Sequence, residues 1–371
     1  MTAIPPPARV GDAVADVDTP ALLLDLDVFD ANVAGLHGEV ARHGGRLRAH
    51  GKAHKCSEIG RRQVAAGAVG LCCQKVGEAE VFVAGGLRDV LVSNVVVGAS
   101  KARRLAALGG RARVGVCVDS ALQVAQLADA TAEAGTRLDV LIEIDVGQRR
   151  CGVAEPREAI ALADAIAAAP GLALRGLQAY HGRAQHLRDP AERASAVAAA
   201  AARARVFRDA LVAAGHRCDE ICGAGTGSYR NELTSGLYTE LQAGSYVLMD
   251  ADYFANQPDP AAPPLGQALS VLCTVITVRP GHAVLDGGLK TFAVDSGKPQ
   301  MMLPGWTVLG LSDEHTVIAP GEGAAPLAVG DKVRLAPGHC DPTVNLHDWF
   351  VAHRAGRVEG LWPIDARGAL F

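Results

Sequence analysis

The stretch Arg46-Leu47-Arg48-Ala49-His50-Gly51-Lys52-Ala53-His54 decides how this chain is read. Its first half, Arg46 to His50, alternates polar and apolar side chains as a short strand does. Its second half sets a lysine among imidazoles, beside a glycine and just ahead of helix-compatible sequence from about Cys56. A lysine at the mouth of a strand suits imine chemistry. Burial and neighbouring positive charge can leave part of it as the neutral amine, the form that attacks a carbonyl. The same residues, with Lys55, also suit a solvated basic loop.

Outward from this stretch, apolar strand-like runs recur at residues 22–27, 69–73, 89–93, 113–118, 138–145, 174–180 and 219–223, with a further one at 238–242. Each is followed by helix-compatible sequence or a Gly-rich turn. Continuous apolar strands in repeated β/α units argue for a parallel sheet covered by helices. About eight such units favour a (β/α)8 barrel of the TIM type over an open doubly wound sheet. After about residue 257 the texture changes. Residues 258–264 are rich in Pro and Ala and read as a linker. β-rich runs at 269–278, 283–286, 332–335 and 357–362 follow, separated by Gly/Pro turns, and predict a C-terminal, mostly β domain.

Composition narrows the function. The chain has 371 residues, 49% of them apolar, and a net charge of −4. That is enough for a substantial core, and the absence of a sustained basic block argues against nucleic acid or a membrane surface as partner. The opening MTAIPPPARVGDAV lacks the apolar core of a signal peptide, and charges interrupt every apolar window of membrane-spanning length. Nine cysteines occur with no CxxC pair, only the adjacent Cys72-Cys73. They read as reduced thiols of a cytoplasmic protein rather than a four-cysteine zinc site.

In a barrel, chemistry gathers where strands end. The candidates there are Lys52, Gln74, Ser93-Asn94, Asp145 with the following Gly147-Gln148-Arg149-Arg150-Cys151-Gly152, then Tyr180-His181-Gly182 and Gly223-Ala224-Gly225-Thr226-Gly227-Ser228. The last of these can offer backbone N–H groups and two hydroxyls to a phosphate. It lacks the Lys-Ser/Thr ending of a P-loop, which disfavours a nucleoside triphosphate. Gly244-Ser245-Tyr246 offers a second donor cluster. Late in the chain, Pro342 biases Asp341 towards an extended conformation, so that His339 and Asp341 share one face with Cys340 on the other. One imidazole and one carboxylate make a partial site for Mg²⁺ or Mn²⁺, completed by water. His347-Asp348 and Glu314-His315 stay open between that neighbourhood and ordinary surface.

The ordered motifs DTPALLLDLD, RAHGKAHKC, CCQKVGEAE, EIDVGQRRCG, GLQAYHG, GAGTGS, YTELQAGSY and GHCDPTVNLHD resemble the D-threonine aldolase family, with 3-hydroxy-D-aspartate aldolases as close relatives and D-serine dehydratases further off. The resemblance runs from about Asp18 to about Asp365. It implies a barrel that binds pyridoxal 5'-phosphate, of the alanine-racemase-like kind, at residues 28–257. Residues 1–27 and 258–371 would form the β domain carrying the metal motif, in a homodimer. It also implies that the run at 22–27 joins the β domain and that 238–242 supplies the eighth barrel strand.

By the same resemblance, Lys52 forms the Schiff base, with Lys55 the lesser candidate. Gln74 and Tyr180 lie at the cofactor, and Arg150 lies near its phenolic oxygen. Gly225, Thr226, Gly244, Ser245 and Tyr246 bind its phosphate, while His339 and Asp341 ligate the divalent metal. Dehydratases of this group have cysteine where this chain has Asp341, which favours a harder ion such as Mn²⁺, Mg²⁺ or Co²⁺. The activity implied is retro-aldol cleavage of a D-β-hydroxy-α-amino acid, D-threonine or D-allo-threonine in type, to glycine and an aldehyde. The alternatives are 3-hydroxy-D-aspartate, which gives glycine and glyoxylate, or D-serine dehydration. Arg183 and Arg230 are candidate receivers for a substrate carboxylate. The sequence shows no clear equivalent of the second-face tyrosine that racemases of this fold take from the β domain.

Overall fold

The computed structural model describes residues 4–371. Strand β1 (Ala21–Asp25) is followed by eight strands that close on themselves. These are β2 (Arg46–His50), β3 (Gly70–Cys73), β4 (Asp89–Val95), β5 (Arg113–Val118), β6 (Leu138–Glu143), β7 (Leu172–Gln178), β8 (Glu220–Gly223) and β9 (Glu240–Leu241). All pair in parallel, and closure comes from β9 lying beside β2, with Arg46 opposite Glu240 and Leu47 opposite Leu241. The (β/α)8 architecture expected from the rhythm of apolar runs is the one observed.

The helices begin where the sequence supplies acceptors for their first N–H groups. Asp25 accepts from Asp27 and Val28 to open helix Leu26–Arg42, and Asp189 accepts from Ala191 and Glu192 to open Pro190–Ala213. Each cap satisfies donors that the helix itself leaves free. Inside the barrel, Cys72, Leu91, Cys117, Leu141 and Cys222 form one packed layer. At the N-terminal end of the barrel the buried Arg48 guanidinium is paired with Glu240 (2.7 Å) and Asp89 (2.5 Å). That end is closed, so chemistry is confined to the other.

The remaining strands are β10 (Leu269–Arg279), β11 (His282–Leu285), β12 (Gln300–Met301), β13 (Trp306–Leu311), β14 (Thr316–Pro320), β15 (Lys332–Ala336), β16 (Trp349–Arg354) and β17 (Arg357–Pro363). They form a nine-stranded sheet with β1, which runs antiparallel to β10 and parallel to β16. The chain therefore starts in this sheet, builds the barrel and returns. Phe29 of the first helix meets Trp362 of β17 edge-on at 6.3 Å, within one continuous core. The sequence pattern marks β10, β11, β15 and β17 but not β12, β13, β14 or β16. β13 carries a register shift at Gly310 that breaks its alternation. β16 is buried on both faces through Phe350, Val351, Ala352 and His353, so it has no alternation to read. No helix among the described residues is long and apolar enough to cross a membrane.

Candidate active site

A cavity of about 210 Å³ opens at the C-terminal ends of the barrel strands. Lys52, Gln74, Arg150, Tyr180, Gly225, Thr226, Gly244 and Ser245 all line it. His50, Ser93, Gln178, Gln242 and Tyr253 complete the wall.

The lysine turn is built tightly. The Gly51 N–H donates to Cys72 O (2.7 Å) and the Lys55 N–H to Gly51 O (2.8 Å). A Cβ at Gly51 would lie 2.9 Å from Leu71 and Phe82, so only glycine fits where the chain leaves β2. The Lys52 N–H donates to His50 Nδ1 (3.3 Å). Burial, reinforced by the Lys52 charge, pushes His50 down to about 3, and burial pushes His54 down to about 4. Both imidazoles are therefore neutral. This corrects the expectation of an amine depressed by positive neighbours. Burial does oppose the Lys52 charge, but the Asp341 carboxylate in direct contact overrides it and holds the ammonium above the ordinary lysine range. Lys55 points elsewhere, to Glu78 at 3.3 Å.

Arg150 lies over the Tyr180 ring at 5.6 Å, with Glu143 at 3.9 Å. The Arg150 loop is folded by Asp145, which accepts from the Gly147 and Arg149 N–H groups, so Asp145 is a loop builder rather than a cavity group. Gln148 accepts from the Gly182 N–H and ties this loop to the one after Tyr180. Below the lysine, Gln178 and Gln242 join their carboxamides reciprocally (2.7 and 3.0 Å).

The Gly-rich turn after β8 presents less than its sequence suggests. The Gly227 N–H is taken by Gln185 Oε1, and the Ser228 and Tyr229 N–H groups by Gly225 O. Ala224, Gly225 and Thr226 are what face the cavity. The Thr226 hydroxyl is buried with no hydrogen-bond partner. A Cβ at Gly225 would sit 2.5 Å from Gln185 Oε1, and one at Gly244 would sit 2.6 Å from His50 O. An orphaned hydroxyl between two such glycines fits an anionic group such as the phosphate of pyridoxal phosphate. Of the Gly244-Ser245-Tyr246 segment, Tyr246 has only its backbone to offer a phosphate. Its side chain is fully buried away from the cavity, its hydroxyl bonded to His37 Nε2 (2.7 Å) and Gln63 Nε2 (3.1 Å). The turn Ser245–Val247 rotates successive side chains apart, so Ser245 faces the cavity and Tyr246 the core.

The β domain contributes His339 and Asp341, though not on an extended segment. Cys340–Val344 is a helical turn with His339 at its N-cap. Pro342 falls in the first turn, where a missing N–H costs no hydrogen bond, and this outweighs its bias on Asp341. The turn is pinned by Asp250, whose carboxylate accepts the Cys340 N–H (2.8 Å). Asp341 reaches Lys52 and accepts from the Ser245 hydroxyl (3.3 Å). His339 Nδ1 lies 2.7 Å from Asp295, which fixes the ring and leaves Nε2 free. An imidazole nitrogen, a carboxylate and an orienting carboxylate suit a divalent ion that completes its shell with water. Among the described residues no set of three or more His, Cys, Asp or Glu side chains is gathered for a metal.

His347 bonds to Thr291 O (3.0 Å), Asp348 pairs with Arg367 and Glu314 with Lys290, so none of these joins the site. Arg230 is engaged by Glu39 (3.3 Å) and Asp259 (3.2 Å). Tyr253, Gln178, Gln242 and Asp295 are the participants that sequence reading misses. Gln178 and Gln242 stand inside GLQAYHG and YTELQAGSY but two residues before the groups those motifs draw attention to, Tyr253 stands in no motif, and Asp295 lies 44 residues from the histidine it orients.

Residues 24–252 match the family of alanine racemase N-terminal domains and residues 268–353 the putative serine dehydratase domain. The chain is 47% identical to a D-threonine aldolase of Arthrobacter sp over 369 residues, covering 99% of this chain and 97% of that one. It belongs to the D-threonine aldolase family. A 3-hydroxy-D-aspartate aldolase of Paracoccus denitrificans (strain Pd 1222) is 43% identical over 371 residues, covering 98% and 95%. The crystal structure of D-threonine aldolase from Filomicrobium marinum superposes with a TM-score of 0.96 at 45% identity, covering 98% of this chain and 100% of that one. The chain is thus an aldolase-type carbon–carbon lyase with an alanine-racemase-like barrel, a family that implies pyridoxal phosphate.

Proposed function

We propose that the protein cleaves D-β-hydroxy-α-amino acids of the D-threonine and D-allo-threonine type to glycine and an aldehyde, using pyridoxal phosphate and a divalent metal. The observation that carries the reading is the contact between Lys52 Nζ and the Asp341 carboxylate. It brings the imine-forming group of the barrel and the hard ligand of the β domain to one point. Pyridoxal phosphate supplies an electron sink for the pair released when the Cα–Cβ bond breaks. A Mn²⁺, Mg²⁺ or Co²⁺ ion on His339 and Asp341 supplies a Lewis acid for the β-hydroxyl.

The chain's own groups do the rest. The Thr226 hydroxyl, with the backbone at Gly225, Gly244 and Ser245, would hold the phosphate, since the Ser245 hydroxyl is given to Asp341. Arg150, steadied over Tyr180, answers the phenolic oxygen, and Gln74 lines the same wall. Lys52 is the residue that would bind the cofactor covalently, and its Nζ, freed by the substrate amine, would carry the proton that Cα needs. Neutral His50 and His54 leave that proton on Lys52 rather than competing for it. Neither candidate receiver of a second substrate carboxylate lines the cavity: Arg183 is absent from its wall, and Arg230 is absent too and engaged by Glu39 and Asp259. That supports an uncharged Cβ substituent over 3-hydroxy-D-aspartate. Asp341, in place of cysteine, supports cleavage over dehydration. The reading includes a cytoplasmic homodimer; nine free thiols support a reducing compartment, and sedimentation tests the dimer.

Incubation with D-threonine, pyridoxal phosphate and Mn²⁺ tests the function. Glycine and acetaldehyde are expected in equal amounts. Pyruvate and ammonia from D-serine, with D-threonine untouched, would replace this reading by the dehydratase, and turnover surviving EDTA would remove the metal.

A further inference from the structure

Helix Ser57–Ala65 follows the lysine turn, and its N-cap residue Cys56 offers only a weak thiol acceptor, towards Glu58 and Ile59, which leaves the Ser57 N–H to another acceptor. The acceptor comes from the far end of the sequence. The Ser57 N–H donates to Asp365 Oδ1 at 3.0 Å across 308 residues. Next to it, the Ala366 N–H donates to Lys55 O at 3.0 Å. Residues on both sides of Cys56 are therefore gripped by the segment that follows β17. Between the two grips the backbone is strained: Lys55 has φ +49°, a left-handed conformation that a residue with a Cβ seldom adopts. Such a conformation persists only where its surroundings over-determine it. The Lys55 N–H closes back on Gly51, so the same strained residue terminates the turn that carries Lys52.

We propose that Asp365 is a positioning residue for Lys52, holding the imine-forming turn in its strained shape by capping the helix behind it. This rests on the reading of Lys52 as the imine-forming residue. The β domain then acts on the lysine twice: on its ammonium through Asp341, and on its backbone through Asp365 and Ala366. A carboxylate at the first N–H groups of a helix also gains from the helix dipole. Asp365 is exposed on its outer side, so substitution there removes the cap without opening the core.

The test compares Asp365→Ala, Asp365→Asn and the unaltered protein, each stripped of cofactor and mixed with pyridoxal phosphate. The growth of visible absorbance and the borohydride-trapped adduct at Lys52 are followed. Removing the cap is expected to slow adduct formation about tenfold, with Asn, which keeps the acceptor, within about threefold of the unaltered protein. Hydrogen exchange at residues 51–57 is expected to rise in the Ala variant before cofactor is added. Equal rates in all three proteins, or an Asn variant as slow as Ala, would overturn the proposal. If the unaltered protein traps no adduct at Lys52, the imine reading falls and takes this one with it. Trapping there with an unaffected Ala variant removes only the role of Asp365.

Discussion

Two turns meet where Asp341 touches Lys52, and they are made differently. The lysine turn grows directly out of β2, with its backbone bonded to the neighbouring strand and a glycine where no Cβ fits. The His339 turn is a five-residue helix, Cys340–Val344, too short to hold by itself even with Pro342 in its first turn. It is pinned by Asp250 from the end of the barrel and oriented by Asp295 from a loop of the β domain. One side of the site is fixed by the register of a barrel, the other by carboxylates arriving from elsewhere. The first should therefore tolerate no change in its reacting group, and the second should fail in graded steps.

The sharpest break in that comparison is at the lysine. Lys52→Ala is expected to lose on the order of 10³-fold or more in turnover together with the visible absorbance of bound cofactor. Lys55→Ala should keep that absorbance, because its ammonium belongs to Glu78. A Lys52→Ala protein that still formed the coloured adduct would shift the imine to another residue. On the other turn, His339→Ala should leave the absorbance intact while turnover falls to the level reached with EDTA. Asp295→Ala, which only frees the imidazole to rotate, should weaken Mn²⁺ binding roughly 10–100-fold, measured by calorimetry. Loss of cofactor absorbance in either variant would mean that the two turns are not independent.

The same contrast explains what could be read in advance. The barrel was legible because each strand is a short apolar run and a parallel strand must be followed by a crossover. Its mouth was legible because polar residues such as Gln74 and Tyr180 sit where such runs stop. Whether Tyr246 turns its side chain or only its backbone to the cavity is not legible, because adjacency in sequence says nothing about which way a one-turn 3₁₀ helix points a side chain. The sequence points to an extended Asp341 because the bias before proline is local, whereas the helical turn is set by Asp250, 90 residues from Cys340. The Lys52 charge was misjudged for the same reason. Its imidazole neighbours are adjacent in sequence, and the carboxylate that governs it is 289 residues distant. Periodicity reports a residue's own element, while protonation reports whatever packs against it.

A smaller effect separates the phosphate cradle from its support. Thr226→Val keeps the shape of the side chain and removes the hydroxyl that has no partner. The protein without cofactor should be as stable as before or slightly more so, since an unsatisfied buried hydroxyl is a cost. Affinity for pyridoxal phosphate should fall about tenfold, one hydrogen bond to a charged group. Equal affinity, measured by fluorescence titration, would mean that the backbone carries the phosphate alone.

An effect on stability rather than on binding lies behind that cradle, at Glu232. Its carboxyl is fully buried and accepts from the Ser228 hydroxyl (2.8 Å), while its second oxygen has no partner. Burial raises it to about 8, against the opposing pull of that hydrogen bond. Burial raises Glu143 in the same direction, to about 7. A carboxyl whose folded value lies above its unfolded one contributes stability below the unfolded value, and that contribution is lost as pH rises through the folded one. The protein without cofactor should therefore lose stability between about pH 5 and about pH 8.5, by on the order of a few kcal/mol. Glu232→Gln keeps an acceptor for Ser228 and cannot ionise, so its urea midpoint should fall less over that range. The remaining slope belongs to Glu143. Parallel curves for the two proteins would show that Glu232 finds a partner for its second oxygen, and that the floor of the phosphate turn is as fully satisfied as the lysine turn beside it.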